Sequence, residues 1–151
     1  MTTTQQVPLP HKLVPVLQPD LGTVRYRALY GGRGSGKSFN AALMAAIKGI
    51  VDPLRVLCVR EFQASIKESF HAELKAAISS LPWLEANYDV GVDYIRGKNG
   101  TEFIFRGLRR NEQSIKSLAK VDLTIVEEAE DVPESSWLAL EATVFLSLIH
   151  I

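Results

Sequence analysis

One eight-residue stretch constrains this chain of 151 residues more than any other. Residues 31–38 read GGRGSGKS, which fits the pattern G-x-x-x-x-G-K-[ST], with an apolar run before it and apolar residues at helical spacing after it. Glycines let the backbone wrap so that several N–H groups point inward, and the following helix adds its positive N-terminus. A Gly/Ser linker is the alternative, but it needs neither the flanking strand nor Lys37 and Ser38 at the helix start. The stretch therefore predicts a phosphate-binding loop built from Gly31, Gly32, Arg33, Gly34, Ser35, Gly36, Lys37 and Ser38.

The last two residues of the loop have chemical roles in a nucleotide site. Lys37 is placed to reach the β- and γ-phosphates, and Ser38 to bind Mg²⁺. A dinucleotide-binding fingerprint does not fit, because GRGSGK lacks the third glycine in register and no strand ending in an acid lies about 20 residues downstream. The guanine-reading N-K-x-D motif of GTPases is absent from the sequence. The motif therefore favours a P-loop nucleotide site over a Rossmann or a GTPase site.

Strands and helices alternate along the rest of the chain. TVRYRALY indicates a strand running into the glycines, and apolar spacing indicates a helix from about Lys37 to Lys48. RVLCVR is typical of a buried strand, and recurring apolar residues from Phe62 to Leu81 indicate a longer helix. VDLTIVEEAE predicts another strand, and PESSWLALEA predicts the start of a helix. This alternation predicts an α/β fold with a mostly parallel sheet flanked by helices.

A β-hairpin is expected within this α/β pattern. YDVGVDYI alternates with a period of two, which predicts one strand with four residues on the same face: Tyr88, Val90, Val92 and Tyr94. RGKNG indicates a turn, and TEFIFRG indicates the second strand. We therefore expect a hairpin inserted into the otherwise parallel sheet.

Two adjacent acids end the later strand, in the string IVEEAE. In a P-loop fold this strand end faces the same phosphates as the glycine loop, because the carboxyl ends of the two strands lie close together. Glu127 is predicted to orient Mg²⁺ and Glu128 to polarise the attacking water. The alternative is that these acids only cap the next helix, which is the preferred role for Glu130, Asp131 and Glu134. A small-molecule kinase is a further alternative, but two adjacent acids suit activation of water better than transfer to a bound acceptor.

Taken together, these blocks resemble one family. RYRALYGGRGSGKS, VLCVREFQASIKESFHAELK, NGTEFIFRGL and IKSLAKVDLTIVEEAEDVPESSWLAL follow one another as in the N-terminal ATPase of the large terminase subunit of tailed bacteriophages, over about residues 20–145. The resemblance implies an additional-strand, catalytic-glutamate P-loop ATPase joined to a C-terminal nuclease. It also implies a motor that uses ATP and Mg²⁺ to package double-stranded DNA into a procapsid. Such a motor is a ring of identical subunits on the portal protein, works with a small terminase subunit that selects the DNA, and is expected in the host cytoplasm.

The resemblance assigns roles position by position. Residues 31–38 correspond to Walker A, Glu127 closes Walker B, and Glu128 is the catalytic carboxylate. Arg33 stands within Walker A, where the family often has an arginine, and is expected to touch the γ-phosphate in cis. Lys37 completes this expected catalytic group. A neighbouring subunit is expected to supply a second arginine in trans, with solvated surface as the alternative for each of four candidates: Arg60, Arg106, Arg109 and Arg110.

Charge is balanced globally and uneven locally. The formal net charge is zero, so nothing global indicates a nucleic-acid or membrane partner. Residues 96–120 contain seven basic and two acidic residues, and either DNA phosphates or ordinary solvated surface explains this block. Since no apolar run approaches ~18 residues, no membrane partner is expected.

Three segments are expected along the chain. Residues 1–20 form an N-terminal lead-in and residues 21–145 a partial P-loop ATPase domain, with the C-terminal nuclease domain of the family absent. The last six residues, LSLIHI, match one reading frame of a transposase adapter used in sequencing libraries. We therefore interpret residues 146–151 as a non-native read-through tail rather than a genuine apolar helix end.

This interpretation has a consequence for the sheet. In the resembled fold, the strand between the two phosphate-facing strands comes later in the chain. We therefore expect a truncated sheet without its middle strand, with unpaired strand edges and exposed apolar faces. Poor stability and weak ATPase activity of this chain alone would follow.

Two alternative functions stay open at this point. One is another P-loop ATPase acting on nucleic acid, such as a helicase-like or repair enzyme. The other is a nucleotide-binding regulatory module without turnover. The downstream coding sequence discriminates the first alternative from a terminase, and ATP hydrolysis by the complete protein discriminates the second.

Overall fold

The computed structural model describes residues 4–118 and 120–151, and for residues 63–68, 144–148 and 150 it describes the backbone only. The strands are β1 Tyr26–Ala28, β2 Arg55–Arg60, β3 Tyr88–Val90, β4 Ile95–Gly97, β5 Glu102–Gly107, β6 Val121–Val126 and β7 Val144–His150. The α-helices are α1 Val14–Leu17, α2 Lys37–Val51, α3 Gln63–Ser79, α4 Pro82–Glu85, α5 Glu112–Lys116 and α6 Glu134–Thr143. Short 3-10 turns span His11–Leu13 and Ala129–Asp131.

All seven strands form one sheet in the order β1-β7-β6-β2-β5-β4-β3. The first five strands in that order are parallel, and β4 and β3 continue the sheet antiparallel. The carboxyl ends of the parallel strands therefore meet at one edge, where the glycine loop follows β1 and the two acids follow β6. This arrangement confirms the predicted α/β fold with a mostly parallel sheet.

Helices cover the two faces of the sheet. On one face, α2 and α3 pack on residues such as Val56, Cys58 and Ile125. Four alanines on α2 are fully buried, and their small side chains let the helix approach the strands closely: Ala41, Ala42, Ala45 and Ala46. On the other face, α5 and α6 pack on alternate residues of the same strands, such as Leu57 and Val59. Among the helices of the described residues, none is long and apolar enough to cross a membrane.

The apolar face predicted between Phe62 and Leu81 belongs to α3. Phe70, Leu74 and Ile78 are fully buried in the core. Phe62 precedes the helix and is half exposed. The side chain of Ile66 lies outside the described residues.

The N-terminal lead-in packs on the domain from residue 7 onwards. Leu17 is fully buried. The guanidinium of Arg27 on β1 donates hydrogen bonds to the carbonyl oxygens of Val16 and Pro19, at 2.9 and 2.7 Å. Lys48 on α2 donates to the carbonyl oxygen of the same proline at 3.0 Å. Two buried or half-buried cations therefore tie this segment to the sheet and to α2.

The predicted single strand YDVGVDYI is wrong, because the segment folds as two strands. β3 and β4 pair antiparallel, with Val90 opposite Ile95, and the Gly91 N–H donates to the Tyr94 carbonyl at 2.9 Å to close the turn between them. Val92 lies in this turn and is 95% exposed. Alternation with a period of two does not distinguish a strand from a tight turn between two short strands. The result is a three-stranded antiparallel unit, β3-β4-β5, where one hairpin was expected.

The expectation that the sheet lacks its middle strand is also wrong. β7 lies between β1 and β6 and pairs parallel with both of them. It contains most of the segment 146–151 that was excluded from the fold prediction. Parallel pairing uses the N–H and C=O groups that every backbone carries, so the pairing of β7 does not reveal the origin of the segment. The read-through origin of LSLIHI stays a prediction.

Candidate active site

The glycine loop joins β1 to α2 at the carboxyl edge of the sheet. Gly34 and Gly36 both have φ of +76°, a left-handed backbone that side chains disfavour. Gly36 is the residue before α2, and no side chain of the described residues caps the helix there. The Asn40 side chain instead donates to the Gly36 carbonyl at 2.8 Å and fixes the loop against the helix. The first N–H groups of α2 therefore stay available to an anion.

Lys37 folds back over the loop that precedes it. Its ammonium donates to the carbonyl oxygens of Gly31 and Gly32, the latter at 3.1 Å, and to the Ser35 hydroxyl at 3.0 Å. These acceptors are neutral oxygens of the loop itself. An ammonium held there by exposed hydrogen bonds can turn to phosphate oxygens, which are stronger acceptors.

A cavity of about 820 Å³ lies between the loop and the acids that follow β6. Its lining includes the whole of residues 28–39, and Arg33 and Ser38 are among them. The opposite wall is formed by the segment 127–130, by Glu73 from α3 and by Ile151 after β7. The structure thus brings the loop and both predicted acids to one cavity. Arg33 is exposed there, and its expected contact with a γ-phosphate stays a prediction.

Glu127 is the more buried of the two acids. Its backbone N–H donates to the Val59 carbonyl at 2.9 Å, and its Oε2 accepts a 2.6 Å hydrogen bond from the Ser69 hydroxyl. Burial raises the pKa of the Glu127 carboxyl, and the neighbouring charges of Glu128 and Glu73 raise it further. The Ser69 hydrogen bond and the charge of Arg60 act in the opposite direction. Burial is the largest of these effects, so the pKa of the Glu127 carboxyl is raised despite the two donors.

Glu128 has an unusual backbone and a more exposed side chain. Its φ of +52° and ψ of +50° lie in the left-handed region, which costs a non-glycine residue about 1–3 kcal/mol. This conformation ends the strand and starts the turn at Ala129–Asp131. The side chain is 46% exposed and lines the cavity. A carboxylate in this position is accessible to water.

Arg60, the last residue of β2, joins the two acids. Its Nε donates to Glu128 Oε2 at 2.9 Å, and its Nη2 pairs with the other oxygen of the same carboxylate. The Nε also lies 3.9 Å from Glu127 Oε2, and Nη1 donates to the Ser69 hydroxyl at 3.2 Å. Of the four candidate arginines, this one contacts both acids, although it is itself not among the residues that line the cavity. Sequence reasoning missed that role because it depends on β2 lying next to β6.

The other three candidate arginines follow β5 or lie on it, outside the lining of the cavity. Arg106 donates to the Phe105 carbonyl at 2.9 Å, and the Arg109 guanidinium lies 5.3 Å from the ring centroid of Phe62. Arg110 is exposed and has φ of +61°. Contact of this basic block with DNA or with a neighbouring subunit stays a prediction.

The donor atoms around the cavity fit a magnesium nucleotide. The described residues contain no group of three or more His, Cys, Asp or Glu side chains that could hold a metal ion alone. The cavity offers the Ser38 hydroxyl and the carboxylates of Glu127 and Glu128. Mg²⁺ in phosphate-transfer sites is bound in this way, by one or two carboxylates together with substrate phosphates. Ser38 and Glu127 are therefore the residues that would hold it.

The chain is similar in sequence to phage terminase large subunits. The sequence model of the phage terminase large subunit family matches residues 23–147. The PBSX phage terminase large subunit of Bacillus subtilis (strain 168) is 29% identical over 108 residues, which cover 71% of this chain and 25% of that protein. The chain thus spans about a quarter of the length of this relative.

Solved structures of large terminases share the fold. The large terminase of a thermophilic bacteriophage matches with a TM-score of 0.70 and 14% identity, over 95% of this chain and 39% of that one. The same protein in complex with ADP matches with a TM-score of 0.61 and 14% identity, over 83% and 33%. The large terminase ATPase domain of Thermus phage P74-26 gives a TM-score of 0.64 and 20% identity, over 96% and 70%. With the match of the family model over residues 23–147, the chain belongs to the phage terminase large subunit family.

Proposed function

We propose that this chain is the ATP-hydrolysing motor domain of a phage terminase large subunit. The observation that carries the proposal is the shared cavity, which is lined by the glycine loop on one side and by Glu127 and Glu128 on the other. A phosphate-binding loop facing two acids suits hydrolysis of a nucleotide better than its binding alone. Membership of the terminase family and the ADP complex of a structural neighbour support ATP as the substrate.

Each residue of the site has a role in this proposal. The free N–H groups at the start of α2 and the Lys37 ammonium bind the β- and γ-phosphates, and Arg33 contacts the γ-phosphate. Ser38 binds Mg²⁺ and Glu127 orients it, and the ion, when bound, offsets negative charge on the phosphates. Glu128 accepts a proton from the attacking water. Arg60 occupies one lone-pair direction on each Glu128 oxygen, which leaves others for water.

The larger assembly is also part of the proposal. The motor would drive double-stranded DNA into a procapsid as a ring of identical subunits on the portal protein, in the host cytoplasm, with a small terminase subunit delivering the DNA. The basic block at residues 96–120 supports contact with DNA phosphates. The coding sequence downstream tests this assignment: a carboxylate-rich nuclease domain is expected, and a second helicase domain would contradict it.

Substitution of Glu128 tests the hydrolytic role. In the protein expressed from its complete reading frame, Glu128→Gln should keep ATP binding and lower the hydrolysis rate by roughly 100-fold or more, because the amide cannot accept the proton. Binding is measured by titration with ATP and turnover by phosphate release. Glu134→Gln, an exposed acid at the start of α6, is the matched control and should hydrolyse ATP at the wild-type rate. If the wild-type protein binds ATP and neither it nor the variant releases phosphate, a regulatory module without turnover replaces the motor.

A further inference from the structure

The helix α3 contributes a polar face to the candidate active site. Ser69 and Glu73 are four residues apart, so their side chains lie on the same side of the helix. Glu73 lines the cavity, and Ser69 contacts Glu127, the first acid after β6. Neither residue belongs to the glycine loop or to the acidic pair. The helix α3 thus forms a third wall of the cavity, although no sequence motif includes this helix.

The Ser69 hydroxyl makes a long-range contact. It donates to Glu127 Oε2 at 2.6 Å, across 58 residues of sequence, and accepts a hydrogen bond from Arg60 Nη1 at 3.2 Å. By comparison, the hydroxyls of Ser80 and Ser117 donate to backbone carbonyls three residues back, at 2.6 and 2.7 Å. Those local bonds are the usual use of serine in and around helices. The Ser69 hydroxyl therefore links the Arg60 guanidinium to the buried carboxylate of Glu127.

We propose that Ser69 is a positioning residue that sets the orientation of Glu127 toward a nucleotide-bound Mg²⁺ ion. This inference rests on the proposed function, in which Glu127 orients that ion. The hydrogen bond engages Oε2 of Glu127, and the carboxylate makes no other hydrogen bond with the described residues. Its second oxygen is therefore left to the cavity that Glu127 lines. A hydroxyl that fixes one oxygen of a metal-orienting carboxylate acts on metal affinity through that carboxylate.

The direct test measures the Mg²⁺ dependence of ADP binding, which does not need turnover. In the protein expressed from its complete reading frame, Ser69→Ala should raise the Mg²⁺ concentration for half-maximal tightening of ADP binding by roughly 10-fold or more. ADP affinity in EDTA, without Mg²⁺, should equal that of wild type. Ser69→Thr keeps the hydroxyl and should restore the wild-type Mg²⁺ dependence. Ser79→Ala, at the exposed far end of α3, is the matched control and should leave both values unchanged.

Two further variants separate positioning from simple support of the fold. Ser69→Cys keeps nearly the same volume but has a much weaker donor, so it should show the same shift in Mg²⁺ dependence as Ser69→Ala. In a Glu127→Gln background, Ser69→Ala should add no further shift, because the hydroxyl acts only through that carboxylate.

Several outcomes overturn the inference. These are an unchanged Mg²⁺ dependence in Ser69→Ala or Ser69→Cys, an equal loss of ADP affinity in EDTA, or an additive effect in the Glu127→Gln background. ADP binding by wild type that ignores Mg²⁺ also overturns it. A wild-type protein that binds ADP with Mg²⁺ but does not hydrolyse ATP contradicts only the proposed function, because the Ser69 shift is read from binding.

Discussion

The two ends of α2 differ in the hydrogen bonding of their backbone polar groups: among the described residues, side chains cap the C-terminal carbonyls but not the N-terminal N–H groups. At the C-terminal end, Asn99 donates to the carbonyls of Gly49 and Ile50, at 2.8 and 3.2 Å, and the Thr101 hydroxyl also donates to Gly49. The Tyr88 hydroxyl reaches the Ala46 carbonyl one turn earlier at 2.7 Å. At the N-terminal end, Gly36 supplies no side-chain cap, and none of the described side chains replaces it.

Because of this difference, the C-terminal end of α2 contributes to the stability of the fold and the N-terminal end is available for ligand binding. The capped carbonyls fix α2 to the β3-β4-β5 unit at the end of the helix that does not line the cavity. Uncapped N–H groups cost the folded protein hydrogen bonds but leave a site for phosphate oxygens. A change at the capped end should therefore alter unfolding, and a change at the open end should alter binding.

The largest expected effect on stability is at the capped end. A Cβ at Gly49 would lie 2.7 Å from the Tyr88 hydroxyl and 2.8 Å from Thr101 Cγ2, so Gly49→Val forces the unit and the helix apart. We expect the free energy of unfolding to fall by about 3 kcal/mol, measured by urea denaturation. Val51→Ala, an exposed change at the same helix end, should stay within about 0.5 kcal/mol of wild type. Equal stability of Gly49→Val and wild type would contradict the claim that the capped end of α2 stabilises the fold.

A smaller effect on stability is expected at the open end. Gly36→Ala puts a side chain on a residue with φ of +76°, at a cost of about 1–2 kcal/mol. The added Cβ would also lie 3.0 Å from the Asn40 amide nitrogen that holds the loop. We therefore expect ADP affinity to fall by a larger factor in this variant than in Gly49→Val, measured by calorimetric titration. The reverse order of affinities would argue against an open end built for phosphate.

The smallest expected effect is a change in pH dependence. Since burial raises the pKa of Glu127 in the folded state, the folded protein binds more protons than the unfolded chain between the ordinary carboxyl pKa and the raised one. The contribution of Glu127 to stability is thus fully present below its unfolded pKa and is lost as pH rises through the folded pKa. Glu127→Gln removes this term, so the unfolding free energy of the nucleotide-free variant should fall less from about pH 4 to 7 than that of wild type. Glu134→Gln, which removes an exposed acid, is the control and should show the pH dependence of wild type. If the unfolding free energies of wild type and Glu127→Gln change equally with pH, burial of Glu127 does not destabilise the fold.

The sequence predicted those parts of the molecule that depend on local pattern. The glycine loop, α2, β2 and β6 follow from a motif and from apolar spacing within a dozen residues, and the structure contains all of them. The meeting of the loop with Glu127 and Glu128 at one cavity was predicted from the geometry of parallel strands. Their chemical roles stay predictions.

The parts that the sequence did not predict depend on neighbours far along the chain. Arg60 and Ser69 contact the acids only because β2 pairs with β6 and α3 packs above them. Nothing in REFQASIKES distinguishes these two residues from solvated ones. The turn at Val92 has the same alternation of apolar and polar residues as a strand, so the sequence did not reveal it. The segment that forms β7 was interpreted as non-native, so it was not expected to pair between β1 and β6. In each case pairing between distant segments decided the outcome.

Binding of ADP by Lys37→Ala tests the central claim, that the open end of α2 and its lysine bind nucleotide phosphates. Calorimetric titration with ADP and Mg²⁺ should show binding by wild type and a loss of at least about 30-fold in the variant, the equivalent of about 2 kcal/mol. Lys75→Ala, an exposed lysine on α3, should bind as wild type does, and all three proteins should unfold at similar temperatures. Unchanged ADP affinity in Lys37→Ala would contradict the account.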